Sequence, residues 1–147
     1  MRQVVTQIEI EAPAATVWQI LTDFASYERD GWNDYIRSVD AALVTGGRIK
    51  VATHTSERGD HDLRGAKLVS ITYPELSWEV KLPLPGLIHG KHWFRVEELT
   101  ATSSRLTQAE QLSGALAFMV FHLVEKSRSG FLEFNEAIKR RAEVSHA

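Results

Sequence analysis

Cysteine is absent from the chain, which excludes thiol nucleophiles, disulfides and Cys-ligated metal centres. An excess of either charge is also missing: 17 Lys and Arg stand against 19 Asp and Glu, a formal net charge of -2. So balanced a chain has no global attraction for a phosphate backbone, and nucleic acid is not an expected partner. The one basic cluster, Lys139-Arg140-Arg141, falls in the last turn of a helical pattern, where cations complement the helix dipole. No apolar run approaches the roughly 18 residues that a membrane span requires, and the N-terminus leads directly into alternating residues with no apolar leader. A cytoplasmic protein without stable membrane insertion is the expectation. Also lacking are a Gly-rich phosphate loop, His-Glu-x-x-His, Gly-x-Ser-x-Gly and any redox motif. His89 and His92 are three apart on an extended segment and so face opposite ways. Neither a metal nor a cofactor is expected.

What is present suits one globular domain over residues 1–147: 44% of residues are hydrophobic and 24% charged, enough to build a real core. Val4 to Glu11 alternates, with Thr6, Ile8 and Ile10 on one face, as in a half-buried strand. Ala12-Pro13 ends it, and Val17, Trp18, Leu21 and Phe24 follow at helical spacing. A second short helix over Phe24–Arg29 stops at Asp30-Gly31. Six strand patterns then occupy Tyr35–Ala42, Arg48–Thr55, Leu63–Thr72, Ser77–Leu82, His92–Leu99 and Arg105–Leu112. The breaks between them are too short for crossover helices, so an antiparallel sheet is predicted. From about Leu112 to Ala142 the apolar residues recur at threes and fours, which predicts one long helix.

The polar residues that alternation turns inward carry the most information. In His92–Glu97 the even-numbered residues are the apolar set, so His92 shares the inner face with Phe94 and Val96. In the next strand Leu106 and Leu112 pull Gln108 and Glu110 inward with them. A register sum of 202 sets Glu110 opposite His92, and a sum of 204 leaves the two diagonal; either way an acid meets an imidazole. A carboxylate on an apolar face needs a partner or water. His92 and Glu110 are therefore candidates for a polar ligand anchor or an acid/base pair, against the plain alternative of a structural hydrogen bond.

Large aromatics supply further candidates. Trp32 and Tyr35 flank a glycine turn and either pack under the small helices or line a cavity mouth; Trp78 faces inward to fill the core or line the pocket. His54 and His61 are expected at the surface. The loop Pro83–Ile88 carries Leu84, Leu87 and Ile88, and the stretch Leu116–Phe121, with Phe118 and Phe121, is apolar all round. Together they are expected to form a portal, unless the apolar stretch serves plain packing or a homodimer interface.

The order of elements, with Glu9-Ala12-Pro13, Val17-Trp18, Asp23-Phe24 through Tyr27, Trp32-Asn33, Leu84-Pro85-Gly86-Leu87 and Gly114 before the long helix, resembles the SRPBCC (START-like, Bet v 1-like) superfamily. It is similar to that superfamily's polyketide cyclase/dehydrase and lipid-transport group over nearly the whole chain. Asp34 stands where many such proteins look like Trp-Asn-Pro. The resemblance implies an α+β helix-grip fold: a curved seven-stranded antiparallel sheet wrapped around a long C-terminal helix, with two short helices after the first strand. It also implies a cavity for a small hydrophobic molecule such as a lipid, fatty acid, quinone or polyketide-like compound. A cyclase or dehydratase using the same cavity is the alternative, because such folds host both carriers and enzymes.

Overall fold

The computed structural model describes residues 1–56, 59–81 and 86–146. Strand β1 (Arg2–Ile10) buries Val4, Thr6 and Ile10 on one face, as its alternation requires. Pro13 is the N-cap of α1 (Ala14–Thr22), which turns Ala14, Val17 and Leu21 into the core. Helix α2 (Phe24–Asp30) ends at Gly31, whose φ of 55° is the left-handed conformation that glycine adopts without a Cβ clash. The chain then enters β2 (Ile36–Ala41), β3 (Arg48–Thr55), β4 (Gly59–Thr72), β5 (Glu75–Lys81), β6 (His89–Thr100) and β7 (Ser103–Ser113). All neighbours pair antiparallel in the order β1-β7-β6-β5-β4-β3-β2, so the two ends of the curled sheet are β1 and β2.

Two strands, β4 and β6, begin furthest ahead of their hydrophobic pattern. β4 begins at Gly59 because the polar residues Gly59–Asp62 pair with Thr55–Ala52, and β6 begins at His89 because His89–Lys91 pair with Lys81–Glu79. Backbone pairing continued where side-chain alternation had faded. The β6–β7 register has His92 opposite Glu110, the sum of 202; a shift between Glu98 and Thr100 reconciles it with the tight Thr100–Ser103 turn.

The C-terminal segment is not one helix. Leu112 belongs to β7, Gly114 turns the chain, and α3 (Ala117–Lys126) is separated from α4 (Arg128–His146) at Ser127. Ser127 N donates to Val124 O at 2.9 Å and its Oγ donates to Leu123 O at 3.3 Å, a tightened turn between the two helices. Both helices pack on β1 and β7, and α4, gripped by the sheet, also contacts α1. Phe131, Phe134 and Ile138 of α4 meet Phe94, Leu106 and Val4 in the core, each at most 2% exposed. Side chains of this kind contribute about 1.5–3 kcal/mol apiece when removed from water. Among the described residues, no helix is long and apolar enough to cross a membrane.

Candidate functional site

One cross-strand row over three strands brings the inward polar groups together. Trp78 on β5 lies opposite His92 on β6, and His92 lies opposite Glu110 on β7. The indole stacks on the imidazole, 5.0 Å between centroids and 8° from parallel, while Phe131 meets the imidazole edge-on at 5.0 Å. His92 Nδ1 is 2.7 Å from Glu110 Oε2, and its Nε2 is 3.1 Å from Gln108 Oε1. His92 is only 7% exposed and Gln108 fully buried.

Two main-chain carbonyls fix the direction of these bonds. Thr6 Oγ1 donates to Gln108 O at 3.0 Å, so it accepts from Asn135 Nδ2 at 2.9 Å. Asn135 Oδ1 therefore accepts from Gln108 Nε2 at 2.7 Å, and the same amide nitrogen donates to Phe131 O at 3.2 Å. Gln108 must then present its carbonyl oxygen to His92, which places a hydrogen on Nε2. The chain Thr6–Asn135–Gln108–His92–Glu110 has one self-consistent set of donors and acceptors. Such a fully satisfied buried network holds its members rigidly.

Beside this row lies a cavity of about 330 Å³. Its walls come from Tyr35 and Ile36 before and in β2, Val51 and Thr53 in β3, Leu63 in β4, and Trp78, His92 and Glu110 on the inner face. Leu123, Val124 and Ser127 roof it at the end of α3, with Phe131 behind them. His61 and Asp62 stand at the β3–β4 side, where Asp62 pairs with Lys50 at 3.6 Å. Among the described residues, no Lys or Arg lines it. Glu110 bonds His92 through Oε2, and among the described residues its Oε1 has no hydrogen-bond partner. Gly90 leaves room there, since a Cβ on it would come within 3.3 Å of that oxygen.

Of the residues expected from sequence to meet a ligand, Tyr35, Trp78, His92 and Glu110 line the cavity. Phe94 and Gln108 lie one layer behind it, in the core. Trp32 packs against Tyr27 and Phe134 at 4.9 and 5.5 Å and donates to Ser26 Oγ at 3.1 Å; Arg141 covers its ring. Phe118 is 61% exposed, and Phe121 lies under Arg2 away from the cavity. Leu87 also lies outside the lining; its carbonyl accepts from Leu116 N at 2.9 Å. The loop therefore does meet the start of α3, but the cavity lies at the other end of that helix. Leu82 and Pro83–Pro85 fall outside the described residues.

Sequence reasoning passed over Asn135, which was legible: it is a polar residue within the apolar stripe Phe131–Phe134–Ile138. It also assigned His61 to the surface, and His61 is indeed exposed while still lining the cavity. On the outer face, His89 Nε2 lies 2.9 Å from Glu79 Oε2, and this bond holds the Glu79 carboxyl below its usual range. His89 and His92 are thus on opposite faces of β6, each with its own acid.

Residues 1–143 match the family described as polyketide cyclase/dehydrase and lipid transport. No curated protein matches the chain. An aromatase/cyclase from a Streptomyces species superposes with a TM-score of 0.71 at 14% identity, covering 97% of this chain and 93% of that one. A START superfamily protein from Mycobacterium smegmatis gives 0.66 at 17% identity, covering 96% and 97%. A di-domain aromatase/cyclase gives 0.66 at 18% identity over 95% of this chain, which spans only 46% of that larger protein. At these identities the likeness is one of fold: a half-barrel sheet gripping a C-terminal helix.

Proposed function

The chain belongs to the polyketide cyclase/dehydrase and lipid transport family, and we propose that it binds a compact, largely apolar molecule in the cavity between the sheet and the α3–α4 junction. The observation that carries this reading is the lining itself: aliphatic and aromatic walls from Ile36, Val51, Leu63, Trp78, Leu123, Val124 and Phe131 meet the hydrogen-bonded pair His92–Glu110 on one side and the polar groups His61 and Asp62 on another. Such a composition is that of a ligand pocket. A volume of about 330 Å³ lies near the small end of the roughly 300–1,000 Å³ range for such pockets. It suits a quinone or polyketide-like ring compound or a single short chain better than a two-chain lipid. Native mass spectrometry of the purified protein should reveal a copurifying small molecule, and added ring compounds should quench the Trp78 emission saturably. A protein that neither carries nor takes up an apolar ring compound refutes the proposal.

A second reading, proton-transfer catalysis, is favoured by one feature. Both His92 nitrogens are engaged, so Glu110 is the group that meets a substrate, with His92 behind it. In an enzyme, Glu110→Gln abolishes turnover and leaves binding largely intact; in a carrier it alters affinity alone.

A further inference from the structure

Resting on that ligand-binding reading, we propose that Gln108 is a positioning residue that locks a hydrogen on His92 Nε2. We further propose that the His92–Glu110 hydrogen bond held in this way leaves the polar end of the cavity a hydrogen-bond acceptor, one that selects ligands bearing a hydroxyl over ligands bearing a carboxylate. Phe131 O and Asn135 Oδ1 take both hydrogens of the Gln108 amide, leaving only its oxygen for the imidazole. His92 Nε2 is therefore a donor. The other nitrogen and Glu110 Oε2 share one hydrogen across 2.7 Å. Whichever of the two atoms holds it, Glu110 Oε1 carries none. That oxygen belongs to a residue of the cavity wall, and Gly90 keeps the space next to it open.

The charges around the cavity act in the same direction. Two acidic residues, Glu110 and Asp62, belong to the lining, and no Lys or Arg does among the described residues. Lys50 lies beside Asp62 and is engaged with it, while the outer pair His89–Glu79 faces away from the cavity. A ligand hydroxyl donates to Oε1; a ligand carboxylate meets an acceptor with an acceptor and buries an unpaired charge. Free fatty acids are thus disfavoured, and phenols or alcohols favoured.

The test uses three probes of one shape, naphthalene, 2-naphthol and 2-naphthoate, titrated into the wild-type protein and into Glu110→Gln. Long-range proton–nitrogen NMR of the His92 ring, in wild type and Gln108→Met, accompanies it. The expected result is naphthol binding about tenfold more tightly than naphthalene, with naphthoate the weakest. Glu110→Gln, whose amide both donates and accepts, should bring naphthol and naphthoate closer together. The ring signals should report a hydrogen on Nε2 in wild type that Gln108→Met removes or frees to exchange, a change that a merely space-filling Gln108 does not produce. Naphthoate binding as tightly as naphthol overturns the selection. A bare Nε2 in the wild-type protein overturns the lock, and that measurement stands even if the variant does not fold. Failure of all three probes, naphthalene included, overturns the binding reading and the selection with it, while the hydrogen position is still decided independently by NMR.

Discussion

Gly130→Ala sets two physical effects of opposite sign against each other. Position 130 lies in the first turn of α4, and a Gly-to-Ala change inside a helix ordinarily stabilises by about 0.8–1.0 kcal/mol. Here, however, a Cβ would fall well inside contact distance of Tyr35 Cδ1 and Cε1, and 3.0 Å from its Cζ. Carbon pairs prefer about 3.5–4.0 Å, so the ring or the helix must move by about 1 Å. Tyr35 is 7% exposed and sits edge-on to Phe131 at 6.0 Å, so its main way out is toward the cavity that it lines. Overpacking costs about 1–3 kcal/mol, which exceeds the propensity gain. We expect a net loss of up to about 2 kcal/mol, or up to roughly 8 °C in Tm for a chain of this length. Urea unfolding measures it, and naphthalene affinity should fall in the same variant because the displaced ring takes up cavity volume. A variant that is more stable than wild type and binds unchanged would show that Gly130 does not seat Tyr35.

Phe134→Ala removes a side chain with no exposed surface and should cost about 3–5 kcal/mol by chemical denaturation; Phe118→Ser, at a 61% exposed site, should change stability by no more than about 0.5 kcal/mol. The contrast measures how unequally two phenylalanines of one sequence pattern are used. The Asp30 carboxyl is lowered from 3.8 to about 2 by hydrogen bonds from Arg29 and Arg141, so its folded form favours the carboxylate. Its contribution is in place above the unfolded value near 4 and is lost as pH falls toward 2. Asp30→Asn should therefore lower Tm more at pH 7 than at pH 2, and a gap as large at pH 2 as at pH 7 would disprove the linkage.

The inner placement of His92, Gln108 and Glu110 follows from period-two alternation, and their apposition from a register parity that a short hairpin enforces. Both rest on separations of some twenty residues. Asn135 was overlooked because its partner Thr6 is 129 positions away, and no local pattern names a partner at that range.

The amino-acid sequence by itself determined the order of strands and helices, the faces they bury and the acid–imidazole pair, because hydrophobic periodicity and hairpin register are local properties. Only the tertiary structure decided three other matters. The terminal helix breaks at Ser127 into α3 and α4, both of which pack on β1 and β7 while α4 also meets α1. The cavity opens beside Leu123 and Val124, away from Phe118 and Phe121, because sheet curvature sets where helix and strands diverge. And the orientation of the Gln108 amide is dictated by the Phe131 carbonyl and Asn135, groups brought to it by the packing of α4 against the sheet.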